Sequence, residues 1–596
     1  MLPRLHKHCI RTQAVTEVNF LRITTQPSGF QKYFRRPTLR TNEPFLRYLE
    51  KWLFVSIIVG FITGLLVAVF DYVTNLTLWA YFPNFFAQHI FMIFPIVLAG
   101  LLASGLLLKT SSNQIGSGSE EVIIAYNEED GKIDTSSWSF PKKMLAAVMT
   151  IGFGGSAGQE GPSVYAGGVV GSWVWSKLGS QRLTLDDRRI LVLAGAAAGI
   201  GAVFKAPLTG IIFALEVPFK DDLAHDALIP SLVSAVVSYL TLIAIDGSEP
   251  LFRFPGIVSL SLTDIGGSAV LGVVCAMGAL IFIFVYKNTA LLVGRISSKF
   301  YVKAFLGAVV VSGIGIISVI ILHRPYPLGI SYDLISLALS PTTLLSALLM
   351  LFIMKLLATS FTLGSTGDGG IFIPQIVMGA ALGSIFGQMF FPARVDLFVA
   401  VGMASFLAAG FKTPLAAVTF VAETTAGPAY LIPSLIAAAV SYSVSGESSV
   451  SEHQKLRDEI DISEVKDMTA DQVMTRNVIA IPAEISVLDF VEEYLFNYQH
   501  KRFPVVDKNG LIGTMSMNEV KSTPREKWFQ VLVKDACNAN YKTAYPDDKL
   551  QKILDLMYTS NIGRVPIVDR ADPRRIVGIV AKTDIIKTME KRRLGT

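Results

Sequence analysis

The chain has 596 residues, 51% hydrophobic and 17% charged, with a net charge of +5. A soluble chain of this size carries roughly 25% charge and divides into several domains, so the charge deficit excludes a wholly soluble protein. Cys9, Cys275 and Cys537 are too scattered for a disulfide framework or a four-ligand zinc site, and no metal site is expected, the His6-Lys7-His8-Cys9 cluster included.

In chain order, residues 1–44 form a basic segment. Arg4, Lys7, Arg11, Arg22, Lys32, Arg35, Arg36, Arg40 and Arg47 precede the first apolar run, which starts near Trp52. Basic residues ahead of a first span read as a cytoplasmic flank rather than a nucleic-acid patch, and the late onset of the apolar run predicts no cleavable signal peptide. Apolar stretches follow at Trp52–Val73, Ile90–Leu108, Lys142–Phe153, Arg188–Phe204, Pro207–Val217, Ala227–Ile245 and Gly266–Leu292. They continue at Ala304–Leu322, Thr342–Thr362, Phe372–Phe391, Leu397–Ala409, Pro414–Ala422 and Tyr430–Val444. A straight span needs about 20 apolar residues. Several of these are shorter and are interrupted by glycine, at Gly152, Gly154, Gly155, Gly158 and Gly161 and again at Gly364, Gly367, Gly369 and Gly370. Irregular backbone at membrane depth survives only beside protein or a wet cavity. Half-helices meeting inside the membrane are therefore expected.

Residues 204–216, Phe-Lys-Ala-Pro-Leu-Thr-Gly-Ile-Ile-Phe-Ala-Leu-Glu, match residues 411–423, Phe-Lys-Thr-Pro-Leu-Ala-Ala-Val-Thr-Phe-Val-Ala-Glu. Upstream of each copy lies a glycine-rich element, aligned here as Gly155–Gly161 with Gly364–Gly370, then Gly167-x-x-x-Gly-Ser172 and Gly379-x-x-x-Gly-Ser384. Two halves with an interrupted helix in the same place mark a repeat transporter whose site lies at the repeat interface. The residues leave open whether the halves are parallel or inverted.

Gly158-Gln-Glu-Gly-Pro162 puts a carboxylate among glycines inside the membrane. An ionised carboxylate there costs about 2.5–3.5 kcal/mol or more, so it needs a polar cavity or a proton. Pro162 suits a first helical turn, which sets Glu160 at a helix N-terminus where backbone N–H groups attract anions. A permeating anion and Glu160 then compete for the same donors, which makes Glu160 a gate. Gly116-Ser-Gly118 and Gly370-Ile-Phe-Ile-Pro374 offer further backbone and hydroxyl donors without fixed charge.

These three elements, in this order and over this repeat, resemble the signature motifs of the CLC family of chloride channels and chloride/proton antiporters across residues 45–455. The resemblance implies an inverted repeat of tilted and broken helices and a homodimer with one anion pathway per subunit. It also implies a chloride site at Ser117, Gly118, Glu160, Gly161, Gly370, Ile371 and Phe372. The chain departs from the family at three places. Val217 stands where proton-coupled members carry an inner glutamate. Ser449–Gln454 lacks the family's central tyrosine, with Ser451 at its place. Gln159 replaces a basic residue. Serine in the first motif goes with chloride preference.

Residues 456–466 read as a linker and residues 467–590 as an α/β tandem pair, about 467–525 and 532–590, resembling CBS domains. Each copy has strands ending in an Asp turn, Arg502–Asp507 and Arg564–Asp569, around an amphipathic helix. CBS pairs that bind ATP, ADP or AMP keep a hydroxyl three residues before an Asp. Here Ser516 is followed by Glu519, and Asp584 is preceded by Ala581, so each copy holds half of that pattern.

The expected function is chloride transport gated by Glu160, leaning to channel-like movement because Val217 removes the usual proton relay. The alternatives are a chloride/proton antiporter with a different proton path and, in another class, a CBS-regulated cation exporter. A cation site needs several embedded carboxylates, of which Asp368, Glu216 and Glu423 are the few candidates. No enzyme chemistry is expected, since no nucleophile–base pair is present.

Overall fold

The computed structural model describes residues 42–109, 117–134, 138–178, 183–254, 260–297, 299–425, 428–456, 468–498, 502–560, 562–585 and 588. The basic segment up to residue 41 with its His6–Cys9 cluster, Gly116, and most of the expected linker lie outside them. The chain divides into two compact units between Lys455 and Leu456.

The first unit is helical. Its first half runs α1 Asn42–Asp71, α2 Ala80–Gln88, α3 Ile93–Lys109, α4 Ser119–Asn127, α5 Ser139–Gly152, α6 Glu160–Leu178, α7 Leu185–Val203, α8 Pro207–Glu216 and α9 Leu228–Asp246. The second half runs α10 Leu262–Ile296, α11 Phe300–Leu322, α12 Tyr332–Leu339, α13 Leu345–Leu363, α14 Phe372–Phe390, α15 Val395–Phe411, α16 Pro414–Thr424 and α17 Leu431–Val444. Among the described residues eight helical segments are long and apolar enough to cross a membrane. The 35 residues of α10 rise about 52 Å at 1.5 Å each, well beyond a hydrocarbon core of about 30 Å, so this helix must tilt or protrude. α8 and α16, with 10 and 11 residues, are too short to span.

Proline starts both short helices, and glutamate at the far end of each joins them. Glu216 accepts from Leu415 N and Ala416 N at 3.0 and 2.8 Å, while Glu423 accepts from Leu208 N and Thr209 N at 2.9 and 2.7 Å. Each carboxylate thus satisfies orphan N–H groups at the start of the equivalent helix in the other half. Side-by-side helices of about 15 Å can exchange such caps only if they run antiparallel. The halves are therefore inverted, the point the residues alone left open.

The same two-fold relation corrects the register of the glycine-rich elements. Gly158 N donates to Gly370 O at 2.9 Å and Gly370 N to Gly158 O at 2.7 Å. Ser156 N donates to Thr362 Oγ1 at 3.0 Å, and Asp368 N to Thr150 Oγ1 at 2.9 Å. Reciprocity requires an offset of 212 residues (158 to 370, 150 to 362, 156 to 368), three more than the alignment of Gly155 with Gly364. Gly155 pairs with Gly367, and Glu160 with Phe372.

Helix pairs α6–α7 and α14–α15 cross at glycine. A Cβ at Gly195 would overlap the carbonyl oxygen of Gly167, and one at Gly402 would overlap that of Gly379, with the reverse also true in each pair. Backbone contact of this kind packs membrane helices where no hydrophobic drive operates. Gly195→Val should therefore abolish a monodisperse peak in detergent size-exclusion chromatography, because backbone cannot yield. Gly266→Ala, with open space around its Cβ, should elute like the wild type and gain about 0.5–1 kcal/mol from helix propensity.

The second unit holds the soluble pair. β1 Ile481–Pro482, β2 Arg502–Asp507 and β3 Gly510–Ser516 form one sheet, parallel then antiparallel, while β4 Arg564–Val568 and β5 Ile576–Ala581 pair antiparallel. Helices α18 Ala470–Val473, α19 Val487–Asp489, α20 Met517–Ser522, α21 Val533–Ala536 and α22 Leu550–Thr559 cover them. Two apolar cores, around Phe490 and Val505 and around Ile553 and Ile567, match the two copies.

Candidate functional site

The Gly158–Gly370 bridge brings the N-termini of α6 and α14 face to face. Glu160, in the first turn of α6, reaches across it. Its Oε1 accepts from Phe372 N at 2.6 Å and Ile373 N at 3.2 Å, and Oε2 has no partner among the described residues. The carboxylate is 1% exposed. It caps the other half's helix rather than its own, in the place where an anion would bind α14.

The first motif closes the same site. Gly118 caps α4 with φ +80°, a left-handed conformation that glycine adopts freely. Side chains are excluded on both faces of the contact, since a Cβ on Gly118 would overlap Gly161 O, and one on Gly161 would overlap Ser117 O. The backbones of Ser117, Gly118, Gly161 and Gly370 are thus in contact around Glu160. Phe372 is backed by Phe204, Phe213 and Phe420 at ring separations of 5.1, 5.6 and 5.2 Å. Ile371 turns to the cavity.

That cavity, about 410 Å³, is lined by Ser117 and Ile371 and by Ser451, Glu452 and His453. Ser451 lies where the resemblance put the lost tyrosine, its hydroxyl without a hydrogen-bond partner among the described residues. Tyr286 and Lys287 of α10 also line it. Sequence reasoning missed them, although Tyr-Lys-Asn is a polar break in the apolar stretch Gly266–Leu292. At the mouth, burial alone would lower the His453 pKa. The hydrogen bond to Glu128 and the charges of Glu120, Glu128 and Glu452 outweigh it and raise it above the usual value. Val217 is elsewhere: it caps α8, is buried, and its carbonyl accepts from Gln454 Nε2 at 3.0 Å.

Two buried lysines, again 212 apart (143 to 355), occupy equivalent places in the two halves. Lys355 Nζ donates to Ser331 Oγ at 2.8 Å and Gly329 O at 3.1 Å, and no ion pair holds it among the described residues. Lys143 by contrast pairs with Glu121, and with Asp368 at 3.9 Å.

In the soluble unit Ser516 donates its hydroxyl to Glu519, closing a capping box that occupies both groups. Asp584 accepts from Ala581 N at 2.9 Å and lines a cavity of about 80 Å³ with Thr475, Asn477, Arg502 and Arg564. Ser516 does not line that cavity, so the two expected nucleotide residues are not brought together there.

Two inverted halves of tilted and broken helices, with opposed helix N-termini at their interface, define an integral, multi-pass membrane transporter of the repeat type. The model of the voltage gated chloride channel family matches residues 99–446, and that of the CBS domain matches 465–523 and 533–591. The chain belongs to that family, the CLC family of chloride transport, and carries a tandem CBS pair. It is 27% identical to the H(+)/Cl(-) exchange transporter ClcA of Salmonella agona over 404 residues, 64% of this chain and 83% of that protein. It is also 27% identical over 401 residues to an uncharacterized protein of Methanocaldococcus jannaschii, covering 67% of this chain and 94% of the other. Among solved structures, a slow cyanobacterial Cl-/H+ antiporter superposes with TM-score 0.60 at 24% identity, over 67% of this chain and 96% of that one. A eukaryotic CLC transporter superposes with TM-score 0.57 at 17% identity over 90% and 98%. At these identities the structures speak for the fold.

Glu160→Gln keeps the shape of the gate and removes its charge. It should abolish the larger part of the pH dependence of chloride flux in vesicles, and His453→Ala the remainder. Unchanged pH dependence in the Gln variant would remove Glu160 from the gate.

Proposed function

We propose that this protein exchanges chloride for protons across a membrane, with Glu160 as the group that both gates the anion and carries the proton. The observation that carries the reading is the Glu160 carboxylate on the N–H groups of Phe372 and Ile373. Two charge-assisted bonds of about 1.5–3 kcal/mol each and a dipole contribution of up to about 2 kcal/mol stand against several kcal/mol of desolvation. Terms so nearly balanced let one proton, or one competing chloride, displace the carboxylate. Chloride then takes the donors around Ser117, Gly118, Gly161, Gly370, Ile371 and Phe372. The serine at position 117 supports chloride as the ion. The similarity to the H(+)/Cl(-) exchange transporters of Salmonella supports coupling.

Passive, channel-like chloride movement is the second reading, favoured by Val217, which offers no proton acceptor. A cation exporter has no support in the site: among the described residues no group of three or more His, Cys, Asp or Glu is set to hold a metal. The functional unit in this reading is a homodimer with one pathway per subunit. The short α8 and α16 leave Leu208 and Leu415 exposed, an apolar face suited to a second copy. The N-terminus and the CBS pair face the cytoplasm, in keeping with the basic first segment. Adenine nucleotide is a regulator at most through the Asp584 side of the pair.

Reversal potentials in planar bilayers, with chloride and pH varied independently, test the coupling. Exchange shifts the reversal potential with pH at fixed chloride; a potential that follows chloride alone means passive movement. For the tail, ATP, ADP or AMP should raise the Tm of the soluble unit in the full-length protein, and Asp584→Ala should remove the shift. No shift with any of the three leaves the CBS pair without a nucleotide role.

A further inference from the structure

On the cavity side of the gate lies an ionic cluster with an odd charge. Lys143 of α5 is shared by two carboxylates, Glu121 of α4 and Asp368 of the segment between α13 and α14. One ammonium against two carboxylates leaves one negative charge uncompensated. The Lys143 and Asp368 side chains are each 1% exposed and Glu121 is 15% exposed. Oδ2 of Asp368 and Oε2 of Glu121 both lack a hydrogen-bond partner among the described residues. An unpaired buried charge costs several kcal/mol, and a proton on the more buried carboxylate removes it.

The position of Asp368 gives that proton somewhere to go. Asp368 lines the cavity together with Ser117, open toward Glu452 and His453. It is also two residues from Gly370, at most about 7 Å along the backbone, and a Cβ at Gly370 would collide with the Glu160 carboxylate. The equivalent residue in the other half is Ser156, whose hydroxyl is occupied by Thr359 at 2.9 Å. The fold therefore does not require an acid here; the carboxylate is an addition on the cavity side alone.

We infer that Asp368, paired with Lys143, is the inner proton acceptor of this transporter, doing from the cavity wall what Val217 cannot. The inference rests on the exchange reading. A hydronium ion in the cavity gives its proton to Asp368 Oδ2 and leaves as water. The protonated acid passes the proton through intervening water to Glu160, which leaves α14 neutral, and Asp368 returns to the carboxylate. The charged and titratable groups facing it are Lys143 and Glu121, with Tyr165 5.0 Å from the ammonium. Across the cavity are Glu120, Lys287, Glu452 and His453, with the Tyr286 phenol.

The test is chloride-driven proton uptake into vesicles holding full-length protein, with chloride flux read in the same preparation. Asp368→Asn, and Asp368→Ser in imitation of the other half, should keep chloride flux near wild type and lose proton pumping by at least ~10²-fold. Asp368→Glu should restore pumping. Pumping at the wild-type ratio in the Asn or Ser variant overturns the assignment alone. Joint loss of chloride and proton movement in both variants, not restored by Glu, marks a structural ion pair and also overturns it. A wild-type protein that moves chloride without protons overturns the exchange reading, and this assignment with it.

Discussion

A helix that begins inside a membrane exposes N–H groups that hydrocarbon cannot satisfy. Most of this fold follows from meeting that demand. At α8 and α16 the demand is met permanently, each start being capped by the glutamate that ends the other. At α14 it is met by a side chain on a facing helix that can leave. The first arrangement fixes the two halves to one another, and the second makes a site. The two differ in reach rather than in chemistry: both Glu216 and Glu423 close a reciprocal pair, whereas Glu160 has no counterpart to hold it.

Inverted symmetry is structural here, and function sits where it breaks. Position 160 is glutamate in one half and its equivalent is Phe372 in the other. Phe372 packs into an aromatic cluster while contributing its N–H to the gate. Lys143 is neutralised by two carboxylates, whereas Lys355 is held by neutral oxygens. The equivalent places thus hold a lysine without an ion pair among the described residues in one half and a lysine shared by two carboxylates in the other. In the proposed exchange this asymmetry would favour an anion near Lys355 and a proton near Asp368.

The two-halved architecture, the buried glutamate at the start of α6 and the soluble pair were legible in the sequence because each rests on local pattern. Phe-Lys-x-Pro-Leu with a terminal Glu has no internal period, so its register is unique. The glycine-rich element recurs every three residues, which is why it aligned with itself three residues out of step. The reciprocal bonds at Gly158 and Gly370 fix it, at the offset of 212 that Gly167 and Gly379 share. Inversion was illegible since the matched segments are too short to span and carry no direction of their own, which only the exchanged caps supply. Lys143, Lys355 and Tyr286 were hidden inside stretches read for their apolar character. The partners of the two lysines come from distant parts of the chain, and no spacing along one helix announces them.

The donors to Glu160 are backbone N–H groups without fixed charge, which suits the proposed transport. A lysine in contact with the anion, in a medium of low dielectric, would bind it by many kcal/mol and stop turnover. Backbone N–H groups bind by a few, and a carboxylate at the same spot cancels them almost completely. Lys355 reconciles attraction with release by acting from beyond contact, its ammonium already committed to Ser331 and Gly329. Long-range charge brings the ion in. In the proposed exchange, neutral, short-range donors set how long it stays, and the protonation of Glu160 sets whether there is room for it.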